Sequence, residues 1–114
     1  MARYLIQAAY TPEAWAAQLK NPQDRTKAVQ GMLDKLGGRI ECFYYAFGAS
    51  DIVTIADLPN NVSAAAISLA VNASGSMKSF TTTPLMTVEE GLEAMRKGNE
   101  AAALYRAPGV PASV

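Results

Sequence analysis

Arg39-Ile40-Glu41-Cys42-Phe43-Tyr44-Tyr45-Ala46-Phe47, then Gly48-Ala49-Ser50, then Asp51-Ile52-Val53-Thr54-Ile55-Ala56-Asp57: this stretch decides the fold. Both flanks are rich in Ile, Val, Phe, Tyr and Thr, side chains that suit a pleated, half-buried surface. Only three small residues part them, which is too short for a helix and right for a hairpin turn. A doubly wound parallel sheet needs a crossover helix between successive strands, so the turn at Gly48 excludes it.

Working outward, Arg3 to Tyr10 alternates as a strand, with Tyr4, Ile6, Ala8 and Tyr10 on one face and Leu5, Gln7 and Ala9 on the other. Thr11-Pro12-Glu13 opens a helix, Thr11 as N-cap and Pro12 in the first helical position. Asn21-Pro22 interrupts it, because the residue before proline is pushed out of helical angles. A second piece spans about Gln23 to Leu36, with Val29, Met32, Leu33 and Leu36 on one face. Gly37-Gly38 ends it. Beyond the hairpin, Pro59-Asn60-Asn61 opens a helix whose apolar face reads as Val62, Ala65, Ala66, Leu69, Ala70 and Ala73. Met77 to Leu85 is a fourth strand. Thr87-Val88-Glu89-Glu90 forms a capping box for a last helix reaching about Tyr105. The order strand–helix–strand–strand–helix–strand, then helix, predicts an α+β, ferredoxin-like βαββαβ fold. Its four-stranded antiparallel sheet carries both crossover helices on one face. Residues 1–106 form one domain in this reading, and 107–114, with two prolines and a glycine, a loose tail.

Composition narrows the function. The 114 residues carry ten basic and ten acidic side chains, no histidine and one cysteine. Balanced charge argues against nucleic acid or an anionic membrane as partner. Without histidine there is no Ser-His-Asp triad, Cys-His dyad or imidazole acid–base pair. No phosphate loop and no clustered metal-ligand spacing is present, so neither a metal nor a cofactor is expected. Cys42 alone forms no internal disulfide and reads as a packed thiol, in keeping with a reducing compartment. The N-terminal stretch lacks the basic start and apolar run of an export signal, so a cytoplasmic location is expected.

Apolar residues make up 50% of the chain and charged residues only 18%, against roughly 25% in ordinary domains. A sheet covered on one face should alternate apolar and polar. Under simple alternation the second strand instead places Ile40, Cys42, Tyr44 and Ala46 on one face, with Phe43, Tyr45 and Phe47 on the other. The third sets Ile52, Thr54 and Ala56 opposite Val53 and Ile55. A bare apolar sheet face marks a partner surface or a ligand pocket. Two such sheets packed across a two-fold axis cover each other. The alternative is a last helix folded back over that face within one chain. The chain itself is therefore the expected partner, as homodimer or higher homo-oligomer.

Leu36-Gly37-Gly38-Arg39-Ile40-Glu41, Tyr44-Tyr45 and Gly48-Ala49-Ser50-Asp51-Ile52-Val53 together resemble the GYD domain family. Tyr10-Thr11, Pro22 with Arg25, Pro59 before an alanine-rich helix, and the threonine-rich fourth strand are also similar, over residues 3–95. The resemblance implies a bacterial or archaeal, ferredoxin-like domain of dimeric α/β-barrel type with no assigned biochemical role. The chain departs at the naming motif, which becomes Gly48, Ala49, Ser50 and Asp51. Where the family has tyrosine, Ser50 leaves more room or takes a pocket out of use.

Two readings of the candidate residues stand open. Asp51 is either a turn residue capping hairpin N–H groups or a carboxylate at a cavity mouth, serving with Tyr45 as general base or substrate hydrogen-bond partner. Tyr10, Trp15, Phe43, Tyr45 and Phe47, with Ser50, either pack core and interface or line a pocket for a small apolar ligand. The corresponding functions are a homo-oligomeric binding or assembly module, or a small cofactor-independent enzyme acting on an apolar or aromatic compound.

Overall fold

A computed structural model describes residues 1–110; the expectation of a loose tail over 107–114 extends, at 111–114, outside the described residues. The elements run β1 (Ala2–Tyr10), α1 (Pro12–Lys20), α2 (Thr26–Lys35), β2 (Arg39–Tyr45), β3 (Ile52–Leu58), α3 (Asn61–Ala73), β4 (Met77–Leu85) and α4 (Val88–Ala102). The four strands form one sheet in the order β2-β3-β1-β4, and every neighbouring pair is antiparallel. This is the ferredoxin-like βαββαβ arrangement, with α4 added.

The local rules that shape these elements are visible in their ends. Thr11 accepts the Ala14 N–H at 3.2 Å, and Pro12 starts α1. Thr87 and Glu90 cap α4 reciprocally, each side chain accepting the other's backbone N–H. Gly37 takes a φ of +77°, and a Cβ on Gly38 would lie 2.6 Å from the Asp57 carbonyl oxygen. That pair lets α2 turn back into β2 in close contact with β3. The core lies between α2, α3 and one sheet face, around Tyr4, Ile6, Leu33, Leu58 and Ile67.

Three expectations are corrected. First, β2 does not alternate simply. Ile40 pairs with Ala56 but Cys42 pairs with Ile55, so Glu41 is an extra residue, a β-bulge. The bulge moves Phe43 and Tyr45 onto the helix-covered face with Ile40, and leaves Cys42 and Tyr44 on the open face. Second, β2 ends at Tyr45, and Phe47 stands fully exposed in the following turn. Third, α3 turns Ala64 and Ile67 inward with Val71, while Val62 and Leu69 face out. This helix is apolar nearly all round, so its periodicity selects no face; the bulk of Ile67 against Leu33 and Leu58 does.

α4 does not fold back. None of its residues is buried, and Val88 and Met95 are 81% and 69% exposed. The helix extends from the sheet, giving a molecule of 66 × 30 × 24 Å with a radius of gyration of 18.9 Å. A compact chain of this length would have about 13 Å. Among the described residues no helix is long and apolar enough to cross a membrane.

Candidate functional site

Three of the residues singled out in the sequence meet at one end of the sheet. A register shift between Ala9 and Tyr10 puts Tyr10 beside Met77 at the helix-covered face. One turn into α1, Trp15 meets the Tyr10 ring edge-on, 5.1 Å between centroids. Asp51 leads into β3, its N–H donating to the Ala8 carbonyl and its own carbonyl accepting from Ala46 N–H, both at 2.8 Å. Its Oδ2 accepts from Trp15 Nε1 at 3.0 Å and from the Tyr10 backbone N–H at 2.9 Å. One carboxylate oxygen thus ties the hairpin to β1 and to α1. Ser50 is half-buried beside this junction.

The remaining aromatics separate. Phe43 and Tyr45 stack edge to face at 5.8 Å on β2. Burial first, then the neighbouring Tyr45, raises the Tyr10 hydroxyl above the ordinary tyrosine value. Arg25 acts on Tyr10 in the opposite direction. Phe43 lines the core beneath α2. Phe47 joins neither group.

Arg25 is a residue that sequence reasoning did not put forward as a site. It stands at the start of α2, just past the break at Pro22, and two hollows share it with Tyr10 and Ser76. One, about 350 Å³, opens between α1 and the α1–α2 connection and carries Gln18, Asn21 and Gln23. The other, about 230 Å³, enters between α2 and α3 past Val29, Met32 and Val71. Those three side chains, with Ile52 and Met77, also wall an apolar core cavity of about 50 Å³ reaching Phe43 and Phe80. Among the described residues Arg25 makes no ion pair, unlike Arg3, Arg39, Arg96 and Lys97. The sequence signal was faint: one arginine in a helix break.

The open sheet face has a different character. Leu5, Val53 and Ile55 form its centre, half-buried, with Cys42 and the exposed Tyr44 beside them. One end carries an ion cluster across three strands. Asp57 accepts from Arg3 Nε and Arg39 Nε, each at 3.1 Å, and Glu41 lies 2.8 Å from Arg39 and 3.5 Å from Arg3. Sharing a proton with the neighbouring Glu41 carboxyl in acid, then the hydrogen bonds from the two guanidiniums, holds the Asp57 carboxyl down at about 2. On β4 this face is polar, with Ser79, Thr81 and Thr83 exposed.

A family model described as GYD domain matches residues 4–95. No curated protein and no solved structure matches the chain.

Proposed function

The chain belongs to the GYD domain family, and from that premise we propose that it is a self-assembling homo-oligomeric module. Two copies meet through the open sheet faces, and each α4 lays its apolar side on the partner.

The surface excess carries this reading. The chain exposes 8049 Å², whereas a compact chain of 12.1 kDa exposes about 6,000 Å². The difference of about 2,000 Å² per chain matches what a stable, larger-than-standard interface removes from water. Two features contribute to it. The Leu5–Val53–Ile55 centre has no helix above it, and α4 presents Val88, Leu92 and Met95 along one side with Glu89, Glu93, Arg96 and Lys97 on the other. A helix of 15 residues that buries none of its side chains is marginal in water. A partner surface supplies what the chain does not.

The corrected register decides which substitutions test the reading. Val53 and Ile55 lie on the open face, whereas Phe43 and Tyr45 lie on the helix side. Val53→Glu with Ile55→Glu should convert the assembly to a folded monomer in sedimentation velocity, with the sheet signal in circular dichroism retained. An unchanged sedimentation coefficient would refute association through this face.

A further inference from the structure

We propose that the cleft between α1, α2 and α3 binds a small amphipathic carboxylic acid. Its carboxylate sits on Arg25, Tyr10 and Ser76, and its apolar tail runs between Val29, Met32 and Val71.

Three observations converge on this chemistry. The first is the charge. Arg25 is the half-buried cation of the cleft, without an ion pair among the described residues, at the meeting point of both hollows. A guanidinium presents a planar fork of donors that matches a carboxylate. The second is the company it keeps. The Tyr10 ring is buried and faces Arg25, and Ser76 lines both hollows, so two hydroxyls flank the position of an anion. The nearby Asp51 carboxylate makes no ion pair with Arg25 among the described residues, and its Oδ2 is turned to Trp15 and the Tyr10 N–H.

The third observation is the gradient of polarity. On the solvent side the walls are Gln18, Asn21 and Gln23, and on the inner side they are aliphatic and thioether groups. The same inner walls, Val29, Met32, Ile52, Val71 and Met77, also line the apolar cavity beneath α2. Methionines 32 and 77 stand at that junction, and unbranched thioethers re-pack around guests of different shape at little cost. A head group alone would leave the inner hollow unfilled, and an apolar molecule alone would leave Arg25 desolvated without a counter-charge. An amphiphile with one carboxylate satisfies both ends. The cleft lies on the helix side of the sheet, so the site is independent of the association proposed above.

Octanoate is the probe, titrated into the full chain by calorimetry and by the fluorescence of Trp15, which touches Tyr10. Saturable binding at one octanoate per chain is expected. Acetate, which lacks the tail, and octanol, which lacks the charge, should each bind at least about tenfold more weakly. Arg25→Gln should lose about tenfold in octanoate affinity, and Arg25→Lys should recover part of it. Met32→Trp, which fills the inner hollow, should weaken octanoate and leave acetate unchanged. Circular dichroism checks that each variant is folded, and light scattering on the same samples follows assembly separately. Equal affinity of wild type and Arg25→Gln for octanoate, or equal affinity for acetate and octanoate, would overturn the proposal. So would the absence of saturable octanoate binding by a folded wild-type chain.

Discussion

Asp51 and Asp57 open and close the same strand, and each carboxylate is committed to partners from other elements. At Asp51, two donors from β1 and α1 converge on one oxygen. Asp51→Ala leaves the Trp15 indole N–H and the Tyr10 N–H without an acceptor. A loss of about 1–3 kcal/mol in urea unfolding is expected, with a change in Trp15 emission of the folded protein. Asp57 carries a pH signature instead. Its carboxyl lies near 2 in the folded chain against an ordinary 3.8, so protonation favours unfolding. The stability it contributes is complete above about 3.8 and disappears as pH falls to about 2. Asp57→Asn should therefore flatten the melting temperature across that window, and a slope identical to wild type would contradict the assignment.

Elements were legible where a local rule fixes them. The Thr11–Pro12 start, the Pro22 break, the Gly37-Gly38 exit, the Thr87–Glu90 capping box and the limits of β4 follow from side-chain chemistry within a few residues. The antiparallel pairing of β2 with β3 followed too, since the short turn at Gly48 leaves no room for a crossover helix. Faces were less legible. A bulge costs no unusual residue, and Glu41 looks like any exposed strand residue until the Ile55 and Ala56 pairings are known. In α3 the apolar residues surround the axis, so the choice of Ile67 over Leu69 belongs to the neighbouring elements. Arg25 was invisible as a site because its setting is made by Tyr10 and Ser76, distant in sequence. The bulge can be tested directly. Deleting Glu41 joins Ile40 to Cys42 in unbroken register with Ala56 and Ile55 and keeps Phe43 and Tyr45 on the helix side, so denaturant unfolding should stay within about 1 kcal/mol of Glu41→Ala. Glu41→Ala keeps the register and loses only exposed ion pairs, worth under about 1 kcal/mol. A deletion costing about 2–4 kcal/mol more than Glu41→Ala, as when every later side chain of β2 changes face, would contradict the assignment of Glu41 as the inserted residue.

At the scale of the whole molecule, balanced charge and an apolar half acquire a location. Part of the apolar excess is absorbed by the core, because the bulge returns Phe43 to the helix side, while Tyr45 beside it stays half exposed. What stays outside is concentrated on the centre of the open sheet face, along α4, and on the outward side of α3 at Val62 and Leu69. A monomer would keep these apolar side chains in water, and exposed apolar surface of this kind marks interaction sites. The ligand cleft and the association face occupy opposite sides of one sheet, so a change in one need not disturb the other. Self-association is the central claim, and native mass spectrometry of the unmodified chain tests it most directly. The account expects ions at twice the 12.1 kDa chain mass or a higher multiple, with little single chain, at micromolar concentration. A spectrum dominated by the single chain under those conditions would contradict it.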